Sequence, residues 1–97
     1  MAVTVILELK AKKGTGNDLI KTFANLLPDT RAYDGCISLD FCQNQDDPDT
    51  LIAYSQWESK EHYQKYLGWR EETGVLGQLI AAIDGDPSIR YFDLTGA

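Results

Sequence analysis

Basic residues are scarce in this chain. Nine lysines and arginines face fifteen aspartates and glutamates over 97 residues, giving a formal charge of −6 at pH 7. A nucleic acid or an anionic membrane surface would need a basic stripe, so neither is an expected partner. Histidine occurs once, as His62, and cysteine twice, as Cys36 and Cys42. With no Cys-x-x-Cys pair and no second histidine, the usual zinc and non-haem iron centres lack their ligands, and no metal is expected. The two cysteines fall in what reads as one extended strand, roughly 20 Å apart. A disulfide needs Cα atoms within about 7 Å, so both are expected as reduced thiols. No apolar run approaches the 18 or so residues of a transmembrane helix. The start, Met1-Ala2-Val3-Thr4, leads straight into a strand pattern with no charged leader, and a cytoplasmic location is the expectation.

What is present reads as an ordinary globular mixture, with 43% hydrophobic and 25% charged residues. Its length fits one domain over residues 1–97. Val3 to Lys10 alternates, with Val3, Val5, Leu7 and Leu9 on one face, as a half-buried strand does. Asn17 or Asp18 is then placed to cap a helix carrying the stripe Leu19, Ile20, Phe23, Leu26 and Leu27. Pro28 is expected to kink or interrupt that helix, and Asp34-Gly35 to end it. Cys36 to Gln43 alternates again, with Ile37, Leu39 and Phe41 on one side. Thr50 to Trp57 is a third strand, rich in β-branched and aromatic residues, hairpinned to the second. Asp46-Asp47-Pro48-Asp49 between them lacks the spacing of a calcium loop and reads as a solvated turn. Gly14-Thr15-Gly16 lacks phosphate-loop spacing and reads as a flexible turn.

Ser59 caps a second helix with Tyr63, Tyr66, Leu67 and Arg70 on one face. Gly68 and Gly74 weaken it, so a bend or restart is expected between Trp69 and Gly77. Val75, Leu76, Leu79, Ile80 and Ile83 form a further apolar stripe. A last strand runs from Ile89 to Leu94. The order βαββαβ is that of a ferredoxin-like α+β fold with an antiparallel four-stranded sheet. Both helices then cover one sheet face. Yet strand three offers Ile52 and Tyr54 on one side and Leu51, Ala53 and Trp57 on the other, and strand four is greasy on both sides. A second copy packed sheet to sheet would bury the remainder, so a homodimer is expected.

Several runs resemble the antibiotic biosynthesis monooxygenase family. They are Thr30-Arg31-Ala32-Tyr33-Asp34-Gly35-Cys36, Tyr54-Ser55-Gln56-Trp57-Glu58-Ser59, Tyr66-Leu67-Gly68-Trp69-Arg70 and Pro87-Ser88-Ile89-Arg90-Tyr91-Phe92-Asp93. The resemblance implies a dimeric α+β barrel with a pocket between helices and sheet. It also implies oxygenation of quinols, anthrones or polyketide-like rings by dioxygen with no cofactor: no flavin, metal or nicotinamide. Two family positions differ. Ser55 stands where many quinol-oxygenating members have Glu, and Tyr66 where many have His. Leu7, Tyr66 and Leu76 match the iron-site positions of the haem-degrading branch, and none can ligate iron in that way.

Cofactor-independent oxygenation asks the protein to accept a proton, stabilise a phenolate or enolate and exclude water. The expected catalytic residues are Tyr66, Arg70 and His62. Arg70 offers a permanent charge and many donors, and Tyr66 a hydroxyl. His62 offers an ordinary imidazole at the helix start, as a general base or as a solvated residue. Tyr54, Trp57, Tyr63 and Trp69 are the expected substrate-binding wall for a small aromatic substrate. Each also has a plain packing role open to it. The alternative function is a non-catalytic dimeric ligand-binding or structural module, and a third reading is an isomerase or lyase that needs no dioxygen.

Overall fold

A computed structural model describes residues 2–97. Seven elements follow in order: β1 (Val3–Lys10), α1 (Gly16–Arg31), β2 (Cys36–Gln43), β3 (Thr50–Trp57), α2 (Lys60–Glu72), α3 (Val75–Ala82) and β4 (Ser88–Asp93). The four strands form one sheet in the order β2-β3-β1-β4, with every neighbouring pair antiparallel. This is the ferredoxin-like arrangement expected from the sequence. Among the described residues, no helix is long and apolar enough to cross a membrane.

Side-chain alternation sends Val3, Val5 and Leu9 of β1, with Leu51 and Trp57 of β3, towards the helices, and all five are buried. They fall into two adjoining clusters. Leu9, Leu39 and Leu51 pack with Leu19, Phe23 and Leu27 of α1, and Phe23 stacks on Phe41 at 4.3 Å. Val3, Val5 and Trp57 pack with Tyr63 of α2, flanked by Tyr66 and Leu67. The opposite sheet face is only partly shielded in the single chain. Tyr54 is 40% and Phe92 44% exposed there, beside the half-buried Ile6 and Ile52.

Four local expectations are corrected. Pro28 does not interrupt α1, which runs on to Arg31. Pro28 and Ala24 both lie on the solvent side, so water can take the carbonyl that a proline cannot serve. Neither Asn17 nor Asp18 caps the helix. Thr15 holds the N-cap position without a side-chain bond, and the acceptor comes from far along the chain. Asp49 takes the Gly14 and Gly16 amides, both at 2.9 Å. Ile37 does not share the inner face of β2. A bulge between Cys36 and Ser38 turns it out to 53% exposure. The stripe on α3 is not buried either: Leu79 is half-buried and Ile80 exposed, and only Ile83 beyond the helix enters the core. The restart near Gly74 is seen, with Gly74 left-handed at φ 82° between α2 and α3.

The acidic turn is therefore structural. Asp47 pairs with Lys10 across the hairpin base, which holds its carboxyl below the usual range and raises the lysine. Gly16 presses on the same turn: a Cβ there would lie 2.1 Å from the Pro48 carbonyl oxygen. Asp49→Ala is expected to lower stability by about 1–2 kcal/mol, the cost of losing a helix-start acceptor. Urea titration checks it. Full stability in Asp49→Ala would show that water replaces the carboxylate.

Candidate functional site

Thr30 ends the buried stripe of α1 and faces α2. Its hydroxyl lies 2.7 Å from the Tyr66 hydroxyl. Arg70, one turn after Tyr66, donates Nε to that hydroxyl at 3.0 Å. Its NH2 group donates to Thr30 Oγ1 and to the Leu26 carbonyl, both at 2.9 Å. Arg70 is 5% exposed. Among the described residues the ion pairs are Lys10–Asp47, His62–Glu58 and Arg90–Glu8, so Arg70 has no carboxylate partner. Aromatic faces surround it instead, with the guanidinium carbon 4.5 Å from the Trp69 ring centroid and 5.4 Å from that of Tyr66.

Rings continue inward from this network. Tyr66 lies 5.1 Å from Trp57 and 5.9 Å from Tyr63, and Tyr63 meets Trp57 edge to face at 5.2 Å. Tyr33 stacks on Trp69 at 5.1 Å and meets Tyr66 edge-on at 5.4 Å. Trp57 is fully buried, its indole N–H bonded to Ser55 Oγ at 3.0 Å. Ser55 Oγ in turn lies 3.3 Å from the Val5 carbonyl, to which it donates. Burial pushes the Tyr63 phenol far above its usual range, so Tyr63 stays neutral and offers no base.

The structure thus brings together Tyr66, Arg70, Trp57, Tyr63 and Trp69. It does not bring Tyr54 or His62 to them. Tyr54 alternates onto the other sheet face, opposite Ile6 and Asp40. His62 shares no hydrogen bond with the network. Its ring rests against Gly35, its Nδ1 is 2.6 Å from Ser59 Oγ, and its Nε2 is 3.7 Å from a Glu58 oxygen. Three contributors were not singled out from the sequence as site residues: Thr30, Tyr33 and the Leu26 carbonyl. Thr30 and Tyr33 sit in the family-like run before Gly35, which was the available signal. Arg31, in the last turn of α1, ties that helix to β2 by donating twice to the Leu39 carbonyl, at 3.2 and 3.1 Å.

Open cavities lie elsewhere. One of about 220 Å³ lies between the start of α1 and the end of α3, one of about 160 Å³ beside His62, and one of about 270 Å³ near Cys42 and Ile52. None of the three is lined by Tyr66, Arg70, Trp57 or Trp69. Under α2, where the family resemblance implies a pocket, the rings of Trp57, Tyr63 and Tyr66 pack against one another in the single chain.

A four-stranded antiparallel sheet covered on one face by helices, with a buried arginine bonded to a half-buried tyrosine among aromatic rings, defines a small ferredoxin-like α+β protein. The chain belongs to the antibiotic biosynthesis monooxygenase family, whose model matches residues 2–71. It is similar to Protein SchA of Streptomyces halstedii, at 26% identity over 89 residues, which is 92% of this chain but only 23% of that protein. Among solved structures it is similar to a conserved protein from Methanosarcina mazei Go1, with TM-score 0.83, 16% identity and coverage of 95% of this chain and 91% of that one. It is also similar to a point mutant of SnoaB, a cofactor-independent oxygenase from Streptomyces nogalater. That match has TM-score 0.81, 14% identity and coverage of 97% of this chain and 93% of that one. At these identities the structural likeness speaks for the fold.

Proposed function

We propose that the protein is a cofactor-independent monooxygenase. Acting as a homodimer, it takes a small electron-rich aromatic, a quinol, anthrone or polyketide-like ring, with dioxygen as the second substrate. Arg70 carries this reading: a buried guanidinium without a carboxylate, bonded to the Tyr66 hydroxyl. A buried cation with no counter-charge favours an anion beside it. The chemistry supplies one, because the substrate must become a phenolate or enolate before it can give an electron to dioxygen. Family membership and the oxygenase SnoaB among the structural neighbours support the same reading.

For an anthrone, the ring CH2 loses a proton to water and the carbanion gives one electron to dioxygen. The two radicals join as a C–O bond, the peroxide takes up a proton, and loss of the second hydrogen of the former CH2 as a proton breaks the O–O bond. One oxygen stays as a ketone and the other leaves as water, so the substrate supplies all the electrons. Arg70 stabilises the anion, and Tyr66 donates to the substrate oxygen. Trp69, half-buried over Arg70 and stacked on Tyr33, swings aside to admit the ring, while Trp57 and Tyr63 form the dry floor. His62, bonded to Ser59 and directed at Glu58, takes no step in this scheme. The second copy covers Ile6, Ile52, Tyr54 and Phe92 on the open sheet face, and light scattering at micromolar concentration is expected to give the mass of a dimer.

The test is dioxygen uptake with a panel of hydroquinones and anthrones after exhaustive metal removal. Uptake is expected, and Tyr66→Phe is expected to slow it roughly tenfold or more. One observation favours the second reading, a non-catalytic binding or structural module: the rings of Tyr63, Tyr66 and Trp69 close on one another. No uptake across the panel would favour that module, and turnover without dioxygen would favour an isomerase or lyase.

A further inference from the structure

We propose that Asp34, Glu58 and His62 form a binding site for one divalent transition-metal ion, zinc by preference, at the turn joining α1 to β2. One ligand atom from each of the three lies within 4.8 Å of the other two. They come from three segments: the turn after α1, the residue after β3 and the first turn of α2. Sequence spacing hides such a set, because two of its ligands are carboxylates and one lies far from the histidine.

The imidazole is held in place. Nδ1 is 2.6 Å from Ser59 Oγ; with Nδ1 donating there, the lone pair sits on Nε2, on the Glu58 side. Metal-bound histidines are oriented by this kind of second hydrogen bond. Behind the ring lies Gly35, left-handed at φ 92°, where a Cβ would come within 2.5 Å of the His62 ring. The Glu58 amide donates to the Gly35 carbonyl at 2.8 Å, which fixes the spacing between the two segments that carry the carboxylates.

The adjoining cavity of about 160 Å³, lined by Asp34, Glu61, His62 and Lys65, leaves room for the water of a fourth position. Lys65 opposes a cation, but the two ligand carboxylates, Asp34 and Glu58, outnumber it. One imidazole, two carboxylates and a water suit tetrahedral zinc, with bonds of about 2.0–2.2 Å. The exposed Asp34 and Glu58 side chains close the remaining distance by rotation. An ion held here ties the three segments together and stabilises the folded chain by linkage. The site shares no residue with Tyr66 and Arg70, so its failure and that of the oxygenase reading are separable.

The experiment uses zinc chloride and an untagged chain carrying Cys42→Ser, which removes an exposed thiol that would compete. Calorimetry is expected to show one equivalent bound, and the ring signals of the single histidine are expected to shift in the NMR spectrum. His62→Gln and Asp34→Asn should each weaken binding roughly tenfold or more, while Glu61→Gln leaves it unchanged. Asp34 is exposed, so that variant tests the site even if His62→Gln folds poorly. Histidine signals unmoved at saturating zinc, or an Asp34→Asn variant that binds like its parent, would overturn the proposal. So would an equal loss in Glu61→Gln, since that would be general acidic attraction.

Discussion

Trp57→Ala is expected to lower the unfolding free energy by about 3–5 kcal/mol, the usual range for truncating a buried aromatic. Trp57 has no exposed surface. It ends β3, a central strand, opposite Val3 and Cys36, and supports both Tyr63 and Tyr66 from below. The loss has two sources: contact area with those rings, and a cavity that a sheet and a helix tied at both ends cannot close. Trp57→Phe separates size from polarity. It keeps most of the ring but leaves Ser55 Oγ without the indole donor. A smaller loss of about 1–2 kcal/mol is expected there. Urea unfolding with an unchanged denaturant slope is the measurement. A loss below about 1 kcal/mol in Trp57→Ala would mean that α2 collapses into the gap. In the proposed oxygenase the same variant loosens Tyr66, so activity should fall at temperatures where the chain is still folded.

The strands were legible as strands because their residues alternate or are rich in β-branched and aromatic side chains. Val3 to Lys10 and Thr50 to Trp57 read from the sequence with the bounds the structure has. Long-range capping was not legible. Asp49 reaches the start of α1 only because the β2–β3 turn folds back over Gly16, and no local rule links positions so far apart. Pro28 misled because a lost helix bond is costly only where water cannot replace it, and burial is not written in the residue itself. Ile37 misled because a bulge adds one residue to the count and reverses the face of whatever precedes it. The site was half legible: the helical spacing of Tyr63, Tyr66 and Arg70 gave the α2 side. Thr30 and the Leu26 carbonyl come from another helix and were found only when the two helices were set together.

Arg70→Met separates a structural role from a chemical one. The side chain keeps its length and its apolar contact with Trp69. It loses the charge and the bonds to Tyr66, Thr30 and the Leu26 carbonyl. Thr30 and Tyr66 still have each other at 2.7 Å, so little is left orphaned. A stability loss of about 1–3 kcal/mol is expected. A charge that stabilises a developing anion is worth more in rate than in stability. Dioxygen uptake is expected to fall roughly 10- to 100-fold, mainly in kcat, when assayed well below the melting temperature. Arg70→Lys restores the charge, but one ammonium cannot span three acceptors in the plane of a guanidinium. It should recover part of the rate and little of the stability. The split between the two readouts decides the matter. If Arg70→Met turns over like the parent while losing stability, Arg70 is a clamp between α1 and α2 and its charge does no chemistry. If the rate falls and lysine restores part of it, the buried cation acts on the substrate.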